Sequence, residues 1–186
     1  MVDQSFQAIL DAHTFLVQLR YEHWIQHEAY TPIWWILLCT WILSWVIFYF
    51  MVDRRQLVEI SLYGVQIFFV TTLLDAIGSV QGLWIYPIKI IPYTPHLESI
   101  DWGILPLTYM LIYQYFPKWK GFILAQIIVA TVYSFVGEPF LAKFLGNYVP
   151  LHWKSIFSFP IYLILAIVPR VTTKSIFNTE KRARSK

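Results

Sequence analysis

Four carboxylates stand where a largely apolar chain can least easily carry them. Asp75 closes one apolar run, Glu98 and Asp101 open the next, and Glu138 comes near the end of another, just before Pro139. An acid within an apolar span is costly, so it normally faces the helix bundle or water and has a partner. Three of the four lie in or beside the stretch DAIGSVQGLWIYPIKIIPYTPHLESIDWGILP, residues 75–106, with Trp84, Tyr86, Trp102 and His96. His152 follows in a later connection. Asp75, Trp84, Tyr86, His96, Glu98, Asp101, Trp102, Glu138 and His152 are therefore the candidate ligand-binding residues. Carboxylates would supply charge or a proton and aromatic rings a stacking surface. A buried carboxyl that keeps its proton can act as a general acid.

Each of these residues also has a plainer reading. Glu98 and Asp101 fall in the first turn of a helix, where carboxylates complement the dipole and cap free N–H groups. Asp75 and Glu138 open no helix, but a buried polar group needs a partner, which Tyr, Trp or backbone can supply. Glu138-Pro139 suits a kink whose freed carbonyl is satisfied by neighbours. His23 and His27 stand i, i+4 on one helix face, a spacing that can place two imidazoles on one metal, with Glu22, Glu28 or His13 as a third ligand. No HExxH pattern accompanies them, and hydrogen bonding at a wet interface serves equally well. No metal is assigned, and the sequence names no cofactor. Phosphate-loop, nucleophile-elbow and Cys-based metal motifs are absent.

The elements that must position these residues are membrane helices. Of 186 residues, 58% are hydrophobic, 19% aromatic and 13% charged, where soluble domains carry roughly a quarter charged. Five apolar runs, about 32–52, 56–76, 100–117, 120–141 and 153–170, each approach the roughly 20 residues a bilayer needs. The expected fold is an all-α integral membrane protein, a five-helix transmembrane bundle over residues 32–170. Residues 1–31 hold an amphipathic helix: Phe6, Ile9, Leu10, Val17, Tyr21, Trp24 and Ile25 recur at helical spacing opposite Gln4, Gln7, Asp11, Gln18 and Glu22. No basic n-region precedes an apolar core there, so no signal peptide is expected. Residues 171–186 form a basic, polar tail expected to be mobile. The single Cys39 excludes an internal disulfide.

Charge then sets orientation. Arg54, Arg55, Lys118, Lys120, Arg170, Lys174, Lys181, Arg182, Arg184 and Lys186 fall on one side, ten of the fourteen cations, against Arg20, Lys89, Lys143 and Lys154. The positive-inside rule puts the ten in the cytoplasm, the amino terminus outside, and all four acids near the outer boundary. Inside the spans Gln66, Gln114 and Gln126 can hydrogen-bond between helices, and Gly64, Gly103, Gly121 and Gly137 can admit close helix approach.

Leu83-Trp84-Ile85-Tyr86-Pro87, Asp101-Trp102 with Leu105-Pro106, Tyr113-Gln114-Tyr115, Glu138-Pro139 and Trp153-Lys154 together resemble a family of small multi-spanning membrane proteins from Gram-positive, spore-forming bacteria, whose function is uncharacterised. The resemblance covers residues 32 to about 172. It implies a bacterial plasma membrane and a five-span bundle, and supplies no activity. An acid ending one span, a Gly-x-Trp, a loop, then an acid and a Pro opening the next is also similar to the layout of membrane-embedded lycopene cyclase domains. There, carboxylates in a helical bundle assist cyclisation of a polyene. The Pro-x-Glu-Glu run of that family is missing here.

Three functions follow as expectations. The first is a non-enzymatic membrane protein that binds a small ligand, a lipid or a partner subunit at an outward-facing pocket of carboxylates and aromatic rings. The second is a membrane-embedded enzyme acting on an isoprenoid or other lipid by carboxylate acid catalysis. The third is an oligomeric pore or transporter component, although acids at one end only do not make a mid-membrane carrier site. The bilayer is the expected surrounding in every case, and nucleic acid is not an expected partner.

Overall fold

The computed structural model describes residues 3–184. It is an all-α bundle with one small β-ribbon. Helix α1, Gln4–His23, runs into a π-turn, Trp24–Glu28. Tyr30 then takes a left-handed backbone, φ 64°, which breaks the chain direction. Thr31 starts α2, Pro32–Met51: its hydroxyl accepts from Trp34 N–H at 3.3 Å, and Pro32 sits in the first turn, where a missing N–H costs nothing. The next helix, α3, Leu57–Val80, follows a 3₁₀ turn capped by Asp53, whose Oδ1 accepts from Arg55 N–H. A π-turn, Ile100–Ile104, leads into α4, Leu105–Tyr115. Then come α5, Trp119–Val132, a π-turn, Tyr133–Gly137, and the short α6, Glu138–Lys143. Helix α7, Ser155–Arg184, completes the chain.

Four stretches among the described residues are long and apolar enough to cross a membrane: Pro32–Met51, Arg54–Val80, Trp119–Lys143 and Ser155–Arg184. These mark a multi-pass membrane protein in contact with the bilayer. The remaining expected span, 100–117, is shorter. Its eleven-residue α-helix and five-residue π-turn rise about 24 Å at 1.5 Å per residue, short of the roughly 30 Å hydrocarbon core. Its ends nevertheless meet the ends of its neighbours. Leu97 N–H, just before it, donates to Asp75 near the end of α3, and Gln114 and Tyr115 donate to the Met51 carbonyl that ends α2.

Two of the three π-turns precede a proline by two residues. A proline lacks the N–H that would bond four residues back, and its ring presses on that carbonyl. For Pro106 the affected carbonyl is that of Trp102. It is taken up from α2, accepting the indole N–H of Trp41 at 3.1 Å and of Trp45 at 2.9 Å. The Trp41–Trp45 pair thus satisfies a helix defect. Pro139 stands in the same relation to the turn Tyr133–Gly137, the kink expected at Glu138-Pro139.

The core lies between α3, α4, α5 and α7, around Tyr63, Ile67, Tyr109, Met110, Phe122 and Leu165. Gly64 lets α4 approach: a Cβ there would lie 2.2 Å from the Met110 sulfur. Tyrosine hydroxyls tie the layers, Tyr63 donating to the Ala166 carbonyl and Tyr109 to that of Tyr162. Of the three expected glutamine links, Gln66 joins Thr172 and Thr173, and Gln114 joins Asp53 and Met51. Gln126 is fully buried with no hydrogen-bond partner among the described residues.

Two expectations need correction. Arg170, read as a marker where the last span ends, is 1% exposed. Its guanidinium donates to the carbonyls of Phe116 at 3.0 Å and Pro117 at 2.6 Å, beyond the end of α4, and lies over the Phe122 ring at 3.9 Å and the Trp119 ring at 4.8 Å. The segment after Arg170 is the continuation of α7 through Arg184, where a mobile tail was expected. Lys174 there pairs with Glu59 at 2.6 Å. Lys186 lies outside the described residues.

At the opposite end, two connections knit together. Strands β1, Trp84–Ile85, and β2, Val149–Pro150, pair antiparallel. The buried Asn147 extends the ribbon with its side chain, accepting from Ile88 N–H and donating to the Ile88 carbonyl. Helix α1 buries none of its own residues; its end is tied to this loop through Arg20 to the Pro92 carbonyl and Trp24 to the Lys89 carbonyl.

Candidate functional site

Asp75, Asp101 and Glu138 line one cavity of about 230 Å³ at the ribbon-covered end of the bundle. They come from α3, the π-turn before α4, and the start of α6. Asp75 is 7% exposed and Asp101 6%. Asp75 Oδ1 accepts from the Trp84 indole at 2.5 Å and from the Tyr86 hydroxyl at 2.9 Å. The Leu97 N–H is shared, 3.3 Å from Asp75 Oδ2 and 3.2 Å from Asp101 Oδ2. One N–H donor thus serves both carboxyl groups. Asp101 reaching back to a preceding N–H is the capping geometry its position suggested; the pairing with Asp75 is additional.

Glu138 is held differently. Its Oε1 accepts from the Tyr162 hydroxyl at 3.3 Å, while Oε2 is buried near the Ser155 and Ser158 hydroxyls without a well-formed hydrogen bond. Around the acids the wall is mainly aliphatic and aromatic, including Leu83, Leu97, Leu105, Tyr148 and Trp153. Leu74 and Ile77, exposed on the flank of α3, form part of its rim, so the cavity reaches the lipid-facing side. No Lys, Arg or His among the described residues lines it.

Of the nine candidate residues, Asp75, Trp84, Tyr86, Asp101 and Glu138 line this cavity. The other four stand outside it. Glu98 folds the loop, accepting from Ile90 N–H, Ile91 N–H and the Thr94 hydroxyl. His96 is buried against Trp102, ring centroids 4.5 Å apart, with neither nitrogen hydrogen-bonded among the described residues. Trp102 stacks on Phe68 and donates to Thr72. His152 is exposed, Nδ1 3.3 Å from the Gly82 carbonyl. Tyr148, Ser158 and Tyr162 line the cavity without having been singled out. Tyr162 and Ser158 lie in the last apolar run, where nothing in a one-dimensional pattern marks the face that meets Glu138.

Burial dominates the loop's electrostatics. It pushes the Glu98 carboxyl up against the downward pull of its hydrogen bonds, and raises the Tyr86 phenol, helped by Asp75. It lowers His96, partly offset by Asp75. Lys89 is 2% exposed, its Nζ donating to the Thr94 carbonyl at 2.5 Å; burial, with Arg20 nearby, brings it down to about 8. Glu28, next to it, accepts Lys89 N–H at 3.0 Å and lies 3.8 Å from His23. The His23 and His27 rings are 5.0 Å apart, but no group of three potential metal ligands gathers among the described residues.

The fold and site together define a multi-pass helical membrane protein with a carboxyl-lined, largely apolar cavity at one end. Compared with known proteins, the chain matches no family model, no curated sequence and no solved structure.

Proposed function

We propose that this chain is a five-span plasma-membrane protein, amino terminus outside, whose cavity binds a small amphiphile or lipid presented by the bilayer. The meeting of Asp75, Asp101 and Glu138 in one mostly apolar cavity carries the reading. Buried acids collected from separate elements are hard to explain by packing alone. The rim on the flank of α3 offers entry from lipid. At about 230 Å³ the cavity is smaller than the roughly 300–1,000 Å³ of drug-sized sites, so the occupant is small or leaves a tail outside. Orientation rests on the cations at the far end, Arg54, Arg55, Lys118 and Lys120 among them. The meeting of the 98–115 ends with those of neighbouring spans supports a fifth crossing. The bacterial source rests on the family resemblance alone.

Native mass spectrometry of the protein, gently extracted from its own membrane, tests the binding reading. A discrete added small mass, lost in Asp75→Asn while the protein stays folded, is the expected result. A bound polypeptide in its place would make the cavity end a docking surface for a partner subunit. A bare monomer would count against binding.

A second reading draws on the paired carboxyls. In an acid-catalysis reading, one of the two carboxyls that share the Leu97 N–H donates a proton to a polyene or other lipid held in the apolar cavity. In this reading the protein is an isoprenoid- or lipid-modifying enzyme. A deletion strain would accumulate the unmodified lipid; an unchanged lipidome would remove this reading's support.

A further inference from the structure

Helix α1 stands apart from the bundle. It is 20 residues long, about 30 Å at 1.5 Å per residue, and buries none of them. At about 100° per residue, Gln4, Gln7, Asp11, Thr14, Gln18 and Glu22 fall on one strip about 80° wide. The strip is bonded locally, Gln7 donating to Asp11 Oδ1 at 3.1 Å and Thr14 to the Leu10 carbonyl. The rest of the circumference is mainly apolar, interrupted by Ser5, His13, Arg20 and His23. Ile9, Phe15 and Leu16 there are 63%, 65% and 58% exposed. A continuous exposed apolar surface of this kind marks an interaction with a partner or a membrane.

The contacts at the end of α1 show which way it faces. Arg20, Tyr21 and Trp24 all stand on the apolar arc. Arg20 donates to the Pro92 carbonyl, the Tyr21 ring stacks on Tyr93 with centroids 6.2 Å apart, and Trp24 donates to the Lys89 carbonyl. The polar strip is therefore turned away from that loop. Towards Gln4 the same arc runs on with no residue buried by the described chain. The helix also adjoins the bilayer directly. After the π-turn Trp24–Glu28, the chain enters the spanning helix α2 with the Tyr30, Trp34 and Trp35 rings in mutual contact. Such clusters mark a membrane–water boundary. A helix of a second copy would cover a stripe about 100° wide. A leaflet covers the whole underside of a helix lying in it. Charge is not the attraction, since Asp11 and Glu22 stand against Arg20 alone.

We propose that α1 is an in-plane membrane anchor. Its apolar arc sinks into the headgroup–acyl boundary of the leaflet at the ribbon-covered end, and its Gln4–Glu22 strip faces water. Burial of apolar surface holds it there, with no requirement for anionic lipid. Because Arg20, Tyr21 and Trp24 grip residues 89–93, the anchor also fixes that loop at the membrane surface. The anchor is independent of what the cavity binds.

Spin labelling of the full chain in phosphatidylcholine vesicles tests it. In a Cys39→Ser background, Ile9→Cys and Leu16→Cys place nitroxides on the arc, and Asp11→Cys and Gln18→Cys place them on the strip. All four positions are exposed, so labelling should leave the fold intact. Collision with oxygen and with a water-soluble nickel chelate is read by power-saturation EPR. Labels at 9 and 16 should meet oxygen and not nickel, at a depth of about 5–10 Å. Labels at 11 and 18 should meet nickel. Replacing part of the lipid with phosphatidylglycerol should leave this pattern unchanged. Nickel access at all four positions would put α1 in water and overturn the anchor. Exclusion of both reagents at 9 and 16, with dipolar broadening between labels, would assign the arc to a second copy of the chain instead. Immersion only in vesicles containing phosphatidylglycerol would overturn attachment by apolar surface.

Discussion

Gly78→Ala should disturb the cavity through one atom. A Cβ at position 78 would lie 2.1 Å from Cη2 and 2.2 Å from Cζ2 of Trp84, where carbon contacts rest at about 3.5–4.0 Å. The indole must therefore retreat by about 1.5 Å. Its Nε1 stands 2.5 Å from Asp75 Oδ1, so a displacement of that size breaks the hydrogen bond. Overpacking costs about 1–3 kcal/mol, and a lost hydrogen bond to a carboxyl about 1–2 kcal/mol. Against this, Ala gains about 1 kcal/mol over Gly in a helix. The net loss is about 1–4 kcal/mol.

Thermal unfolding in detergent, followed by helical circular dichroism, reads that loss, and a double-mutant cycle identifies its cause. Trp84→Leu removes both crowded atoms and the hydrogen bond. In that background Gly78→Ala should become neutral or stabilising by up to about 1 kcal/mol, a reversal of sign. Equal costs in both backgrounds, within about 0.5 kcal/mol, would refute the contact and with it the placement of Trp84 as a cavity wall.

Three further outcomes are expected. Arg170→Met strands the Phe116 and Pro117 carbonyls and should cost about 2–4 kcal/mol in chemical denaturation; Arg170→Lys, which keeps the charge but not the fork, should recover less than half. Equal stability of Arg and Lys would reduce the residue to a topology signal. Lys89, brought down from 10.5 to about 8 by burial, binds a proton less tightly folded than unfolded, so its unfavourable contribution is full below pH 8 and fades as pH rises from about 8 towards 10.5. The unfolding midpoint of wild type relative to Lys89→Met should rise across that window, and a flat difference would show that Lys89 is not held in a desolvated site. Arg20→Ala with Trp24→Phe should release α1, read as faster hydrogen exchange over residues 20–28 and unchanged exchange in the core.

The helical bundle was legible because lipid imposes it: long apolar runs and clustered cations leave little choice of architecture. The shortening of the third run was not. Its eighteen residues, 100–117, satisfy hydropathy, but Pro106 and the preceding π-turn are local backbone adjustments that a count of apolar residues does not register. Arg170 misled for a related reason. A cation at the end of an apolar run and a cation folded over Phe122 read identically in one dimension; only the carbonyls of Phe116 and Pro117, more than fifty positions away, separate them.

The acids show where such reading stops. Their common depth followed from orientation, yet depth alone gave Asp75, Glu98, Asp101 and Glu138 equal standing. Glu98 differs because three donors of its own loop surround it, Ile90 N–H, Ile91 N–H and Thr94 among them, so its oxygens are spent on folding. Asp75 is also well bonded, but by Trp84 and Tyr86, which themselves line the cavity. Glu138 has one oxygen bonded to Tyr162, a wall residue of the cavity, and the other buried near Ser155 and Ser158. What separates a structural acid from a candidate binding one is therefore where its donors stand: in its own loop for Glu98, in the cavity wall for Asp75 and, through Tyr162, for Glu138.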